Sequence, residues 1–290
     1  MDHFLQQLIY GLSVGSTYAM IALAITLVFR GMDIINFAQG EIFMVGAFLG
    51  YVFHVDLGLS MWLAFPLAIA SALVFGSFLE RVFMRRLENS NQLSLFMMTV
   101  ALFILLRSAA QLVFGSSAYR FPPLSEHAAS IGSVRISDQY LIVIGMTLLI
   151  MLLLYLLFTR TPLGLSVRAV AQDKTTARMM GINVSRINNF TVALCSALGA
   201  AAGIVYAPIA VLSFDMGNLI MLKGFTAALL GGLGLLSGAV LGGIMLGVIE
   251  QFGTLLINSA YKDLVSFSIL LLIILVKPNG ILGKKQIKKV

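Results

Sequence analysis

Residues 160–186 read RTPLGLSVRAVAQDKTTARMMGINVSR. They carry five basic residues (Arg160, Arg168, Lys174, Arg178 and Arg186) and one acidic residue, Asp173. On either side the chain is apolar, over Tyr140–Phe158 before and Ile187–Val211 after. A run of about 20 apolar residues crosses a hydrocarbon core ~30 Å thick as a helix. The stretch is therefore an ordered polar interruption in a chain otherwise made of membrane helices. Composition agrees: 59% of the 290 residues are hydrophobic and 11% charged, with mean hydropathy +0.99. Soluble domains carry about 25% charged residues. A β-barrel would alternate over segments of about 10 residues, and that alternation is missing. The predicted fold class is all-α: a polytopic membrane helix bundle of about eight or nine transmembrane helices. With no charged or Pro/Ser-rich linker, residues 1–290 read as a single domain.

Working outward from 160–186, the predicted spans are Leu8–Phe29, Ile34–Phe53, Met61–Val82, Leu93–Phe114, Tyr140–Phe158, Ile187–Val211, Leu219–Leu236, Gly238–Ile257 and Leu264–Val276. Alternating sides puts fourteen Lys and Arg with 160–186 and the C-terminal tail. Four fall opposite: Arg120, Arg135, Lys223 and Lys262. The positive-inside rule then assigns 160–186 and the C-terminus to the cytoplasm and the N-terminus to the exterior. Re-entry of Ile34–Phe53 would flip the N-terminal end. Residues 115–138 become an extracytoplasmic loop stiffened by Pro122-Pro123, where His127 reads as solvated. The net charge of +7 is accounted for by this retention, so no nucleic-acid partner is expected. A single cysteine, Cys195, excludes an intrachain disulfide. MDHFLQQLIYG, residues 1–11, lacks the basic start of a cleaved signal peptide.

Polar residues inside spans are costly and mark function by default. Asn36, Gln39 and Glu41 fall early in the second span, around Gly40. Two readings stand: a helix broken beside a solute path, or a cytoplasmic interface where Glu41 caps a helix start. Glu250 has no Lys within a helical turn; it is either a pathway residue or a hydrogen-bonding group between helices. Arg107 is expected to snorkel to the outer interface. Glycines four apart, at 11/15, 46/50, 199/203, 234/238/242 and 243/247, predict close helix packing in lipid. The chain has no GxxxxGK[ST] phosphate loop and no arrangement of catalytic side chains outside the spans, so it is not read as an enzyme.

Within 160–186, Pro162 and Gly164 are expected to end the preceding helix, with a new one from Leu165. Asp173 is placed to cap a second short helix, Lys174–Met180, and Gly181 to stop it. Such a small-residue, basic-rimmed knuckle suits docking to a soluble motor; the plain alternative is a cytoplasmic loop with incidental helicity.

Several strings resemble one family in order along essentially the whole chain. They are GSTYAMIALAITLVF (15–29), INFAQGE (35–41), RAVAQDKTTARMMGIN (168–183), KGFTAALLGGLGLLSGAVLGG (223–243) and KPNGILG (277–283). Together they are similar to the LivH-type permeases of bacterial branched-chain amino acid ABC importers. The resemblance implies an inner-membrane, multi-pass subunit paired with a second homologous permease. It also implies two ATP-binding cassette ATPases that bind ATP and Mg, an extracytoplasmic solute-binding protein, and no cofactor in this chain. It places coupling to the ATPase on Arg168, Ala169, Asp173, Ala177 and Gly181. The residues expected along the translocation pathway are Asn36, Gln39, Glu41 and Glu250. Gln39 departs from the His usual for the family at that position, so a titrating role there is not expected. Other cargo (urea, amides, a sugar) or a stand-alone secondary transporter are the alternatives.

Overall fold

The computed structural model describes residues 2–87, 90–123, 128–131, 134–256 and 261–283. Each predicted span has its helix. The first half holds α1 (Asp2–Met32), α2 (Gln39–Tyr51, prolonged by a wide turn Val52–Asp56), α3 (Met61–Leu79, prolonged to Leu87) and α4 (Gln92–Phe114). After α5 (Asp138–Arg160) come the short α6 (Pro162–Gln172) and α7 (Lys174–Met179). The second half is α8 (Val184–Tyr206), α9 (Met216–Gly231), α10 (Leu236–Leu256) and α11 (Lys262–Val276). Among the described residues, six helices are long and apolar enough to cross a membrane. Helices α2, α9 and α11 are shorter. Residues 115–138 are not wholly irregular: β1 (Ala128–Ile131) and β2 (Val134–Ser137) form an antiparallel hairpin, Ala128 opposite Ser137. His127 and the tail lysines Lys284, Lys285, Lys288 and Lys289 lie outside the described residues.

Glycine brings the backbones of α1 and α10 into contact. A Cβ on Gly11 would lie 2.9 Å from Val248 Cα, and one on Gly15 2.9 Å from Ile244 Cα. Gly243 and Gly247 meet Ala19 and Gly15 from the other side with no room for a side chain. Dispersion between close backbones and lipid release drive such contacts, since lipid gives no hydrophobic force between helices. On the opposite flank α8 lies on α3, where Gly76 receives Ser196 and the buried stripe is Ala64, Ala68, Ala72 and Gly76. Gly234 differs from the expectation: with φ +86° it sits in the α9–α10 turn instead of a packing face.

The two halves are built alike and run in opposite senses. In each, a long helix (α1, α8) is followed by an irregular return (33–38, 207–215) and a shorter helix (α2, α9). α1 packs on α9 and α10 as α8 packs on α2 and α3. The end of α1 gathers with the α6–α7 joint, the α9–α10 turn and residues 278–283 around a cleft of about 950 Å³. The end of α8 lies at the other face, where Leu212 pairs with Tyr119. α5 contributes its apolar surface mostly outward, only 22% of its span being buried.

Candidate functional site

α2 begins inside the bundle. Its first residue, Gln39, donates from Nε2 to the Cys195 carbonyl at 2.8 Å, halfway along α8. Asn36 shapes the entry: its Oδ1 accepts from the Ala38 amide at 3.1 Å and its carbonyl from the Gln39 amide at 3.2 Å. The side chain thus takes up a backbone donor that the helix start leaves over. α9 also begins inside, and the two starts cross where the backbones of Gly40 and Gly217 touch. Broken helices at membrane depth are tolerated where they are buried in protein or line a cavity. Glu41 is therefore not a surface cap. It is 0% exposed, its Oε1 would stand 3.0 Å from a Cβ on Gly217, and neither carboxylate oxygen has a hydrogen-bond partner. Arg107 does not simply snorkel. It ion-pairs at 2.6 Å with Asp215, the residue that precedes α9, and stacks 5.7 Å from the Phe214 ring centroid. Both charges lie within electrostatic reach of Glu41.

Glu250 stands in a second, separate cluster, and its lysines come from other helices. Oε1 accepts from Tyr18 Oη at 3.0 Å, Lys223 Nζ at 3.0 Å and Lys262 Nζ at 3.1 Å. Oε2 accepts from the Ser266 hydroxyl. Lys223 also reaches Asp263 at 2.8 Å. Lys223 was expected on the exterior; it is 5% exposed, in the second turn of α9. Taking it out of the exterior set leaves three basic residues against fourteen, so the asymmetry sharpens. A buried carboxylate is tolerable only when paired and hydrogen-bonded, and here four side chains on α1, α9 and α11 do both. A third network at the α6–α7 end escaped the sequence reading: Glu80 accepts from Arg85 at 3.1 Å and from Asn189 Nδ2 at 2.6 Å. Arg85 is a local partner, five residues on, but Asn189 is 109 residues away and no local pattern shows it.

The polar stretch 160–186 folds as two short helices, with one boundary moved. Pro162 opens α6 instead of ending α5. Thr161 is the N-cap, its Oγ1 accepting from the Gly164 amide at 3.1 Å. Proline at the first helical position loses no hydrogen bond and has the right φ. Gly164 then lets α6 fold back on Leu157 and Phe158 of α5. The buried stripe is Gly164, Val167 and Val170. Asp173, extended at φ −158°, ends α6 and caps α7, accepting from the amides of Thr175 (2.7 Å) and Thr176 (3.1 Å) and from the Thr176 hydroxyl (2.9 Å). These donors, the Thr176 amide first, hold its carboxyl below the ordinary range. Gly181 stops α7 at φ +81°. Arg168, Asp173 and Gly181 are exposed, Ala169 is half-buried, and Ala177 is buried within the chain. Met179 and Met180, passed over in the sequence, are 81% and 78% exposed at the tip.

Apolar helices built as two opposed halves, two helices that start inside the bundle, and an ordered polar hairpin at one face together make a solute permease. The class is a multi-pass membrane transport subunit, not an enzyme. More narrowly, the chain belongs to the family described as branched-chain amino acid transport system / permease component, which it matches over residues 7–274. It is 36% identical to the high-affinity branched-chain amino acid transport system permease protein BraD of Pseudomonas aeruginosa, covering 99% of this chain and 98% of that one. It is 34% identical, with the same coverage, to the corresponding LivH of Escherichia coli K12. Among solved structures it shares its fold with a chain of PsaBC from Streptococcus pneumoniae in complex with Fab. There the TM-score is 0.51 and the identity 16%, over 96% of this chain and 93% of that one.

Proposed function

We propose that the whole chain acts as one permease domain, the translocation subunit of an ATP-driven importer of branched-chain and related apolar amino acids. It works with a second homologous permease, two ATPases that bind ATP and Mg, and an extracytoplasmic binding protein that delivers the solute. The α6–α7 hairpin supports this reading most directly: an ordered, exposed, small-residue element on a chain with no phosphate loop of its own. Arg168, Ala169, Asp173 and Gly181, with Met179 and Met180, form the face offered to the ATPase. Ala177 seats α7 on the bundle beneath that face. Asn36, Gln39 and Glu41 line the path at the α2–α9 crossing, and Glu250 fixes the wall beside it. The hairpin and C-terminus face the cytoplasm and the N-terminus the exterior, as the basic residues favour.

The test is leucine uptake by the reconstituted complex. Uptake should require both ATP and the binding protein; leucine flux through this chain alone in liposomes would overturn the importer reading. For orientation, a cysteine at Ser116 in a Cys195→Ser background should react with an impermeant maleimide from outside intact cells. One at Thr175 should react only after permeabilisation.

A further inference from the structure

We propose that the Glu41 carboxylate at the α2–α9 crossing is an acceptor site for a primary ammonium group, that of the amino acid in transit. This rests on the permease reading and names what the crossing takes hold of.

The first observation is unspent hydrogen-bonding capacity. Glu41 is fully buried and both of its oxygens lack a partner, whereas Glu250, equally buried, has four donors. Buried polar groups are nearly always satisfied, and an exception needs a reason. The start of α9 beside it supplies a favourable dipole, which accounts for the carboxylate's position but not for its open lone pairs. The second observation is charge. Arg107, the basic side chain within reach, is already neutralised by Asp215 at 2.6 Å. A carboxyl buried with no protein cation free to balance it favours its neutral form, and a guest ammonium would draw it into the ionised one. The third is mechanical. The crossing is closed by backbone, Gly40 on Gly217, with the Met221 side chain seated against Gly40 and the Glu41 carboxylate against Gly217. A separation of these two helix starts would bring the carboxylate, which lies directly at their contact, within reach of a guest. An ammonium brings three N–H donors and no acceptor, which matches a site made of acceptor oxygens. Phe37, Met221 and Phe225 pack nearby in the core and suit an apolar side chain on the same guest.

The experiment uses the purified full-length chain in nanodiscs and reads its melting temperature, which a ligand of the folded state raises. The probes are 3-methylbutylammonium (ammonium with an apolar tail), 4-methylpentanoate (carboxylate with an apolar tail) and tetramethylammonium (a cation with no N–H donor). The expected result is a shift of several degrees with the first probe alone, abolished in Glu41→Gln. No shift with 3-methylbutylammonium, an equal shift with tetramethylammonium, or a shift that persists in Glu41→Gln would each overturn the proposal. Should Glu41→Gln fail to fold, Glu41→Asp serves: its withdrawn carboxylate should reduce the shift, and an undiminished shift counts against the site. None of these readouts requires transport. Failure here leaves the importer reading standing, and ATP-independent uptake refutes that reading without touching this one.

Discussion

Asp173 shows how much one side chain can organise. It ends one helix and starts the next, and its depressed ionisation gives a signed prediction. A carboxylate whose folded pKa lies below its unfolded value of about 3.9 contributes its capping above that value and loses it as pH falls through the folded one. Amide hydrogen-exchange protection within 174–180, corrected for the intrinsic pH dependence of exchange, should therefore be constant from neutral pH down to about 4 and fall below it. Asp173→Asn, which caps without titrating, should show no such step. Gly181 is the complementary case. A Cβ there would meet nothing within 4 Å, yet φ +81° penalises any L side chain. Gly181→Val should reduce recovery of the ATPase with the permease several-fold while membrane insertion is unchanged; normal co-purification and transport would remove this residue from the docking face.

At the scale of elements, the α1–α10 seam separates packing from propensity. Both helices would form in lipid without glycine; what glycine supplies is approach. Gly15→Leu puts four carbons where Ile244 Cα already stands 2.9 Å from an ideal Cβ. Overpacking of this kind costs about 1–3 kcal/mol or more, so the detergent-solubilised protein should unfold at lower temperature. The same change at Gly145 of α5, which faces open space, should be silent by the same measurement. The α6–α7 hairpin obeys the opposite logic. Its inner stripe of Gly164, Val167, Val170 and Ala177 holds it to the bundle, so Ala177→Leu should dislodge α7. Met179→Ser/Met180→Ser should leave the hairpin folded and weaken only its grip on the ATPase.

For the whole molecule, the Glu250 cluster ties α1, α9, α10 and α11 together. Deleting one partner of a buried pair strands a charge and costs about 3–5 kcal/mol, whereas removing both can be close to neutral. Glu250→Gln should lower the unfolding free energy by an amount approaching that range, Lys223 keeping Asp263 as its remaining partner. Glu250→Gln/Lys223→Met should recover a good part of it. If the double variant is less stable than the single, the cluster acts as a network of Lys262, Asp263 and Ser266 instead of a pair centred on Lys223. In the proposed alternating access, the α2–α9 crossing would move against a frame that this cluster holds.

Much of this protein is legible in its sequence because the deciding physics is local. Twenty apolar residues make a span wherever they stand, basic residues mark a side, Asp173 caps the amides two and three residues ahead, and Gly181 stops a helix through its own φ. Pro162 was misplaced by sequence because proline both ends and begins helices, and only the capping bond from Thr161 decides which. What the tertiary structure alone decided is where α2 and α9 begin and whom the buried charges meet. A helix start inside the bundle depends on Gln39 reaching a carbonyl 156 residues away. Lys223 is buried because Glu250, 27 residues on, is there to receive it. No window of sequence contains both ends of such a bond. The sequence could thus single out Asn36, Gln39, Glu41 and Glu250 as polar residues within spans, while their partners, and the missing partner of Glu41, could not be read from it.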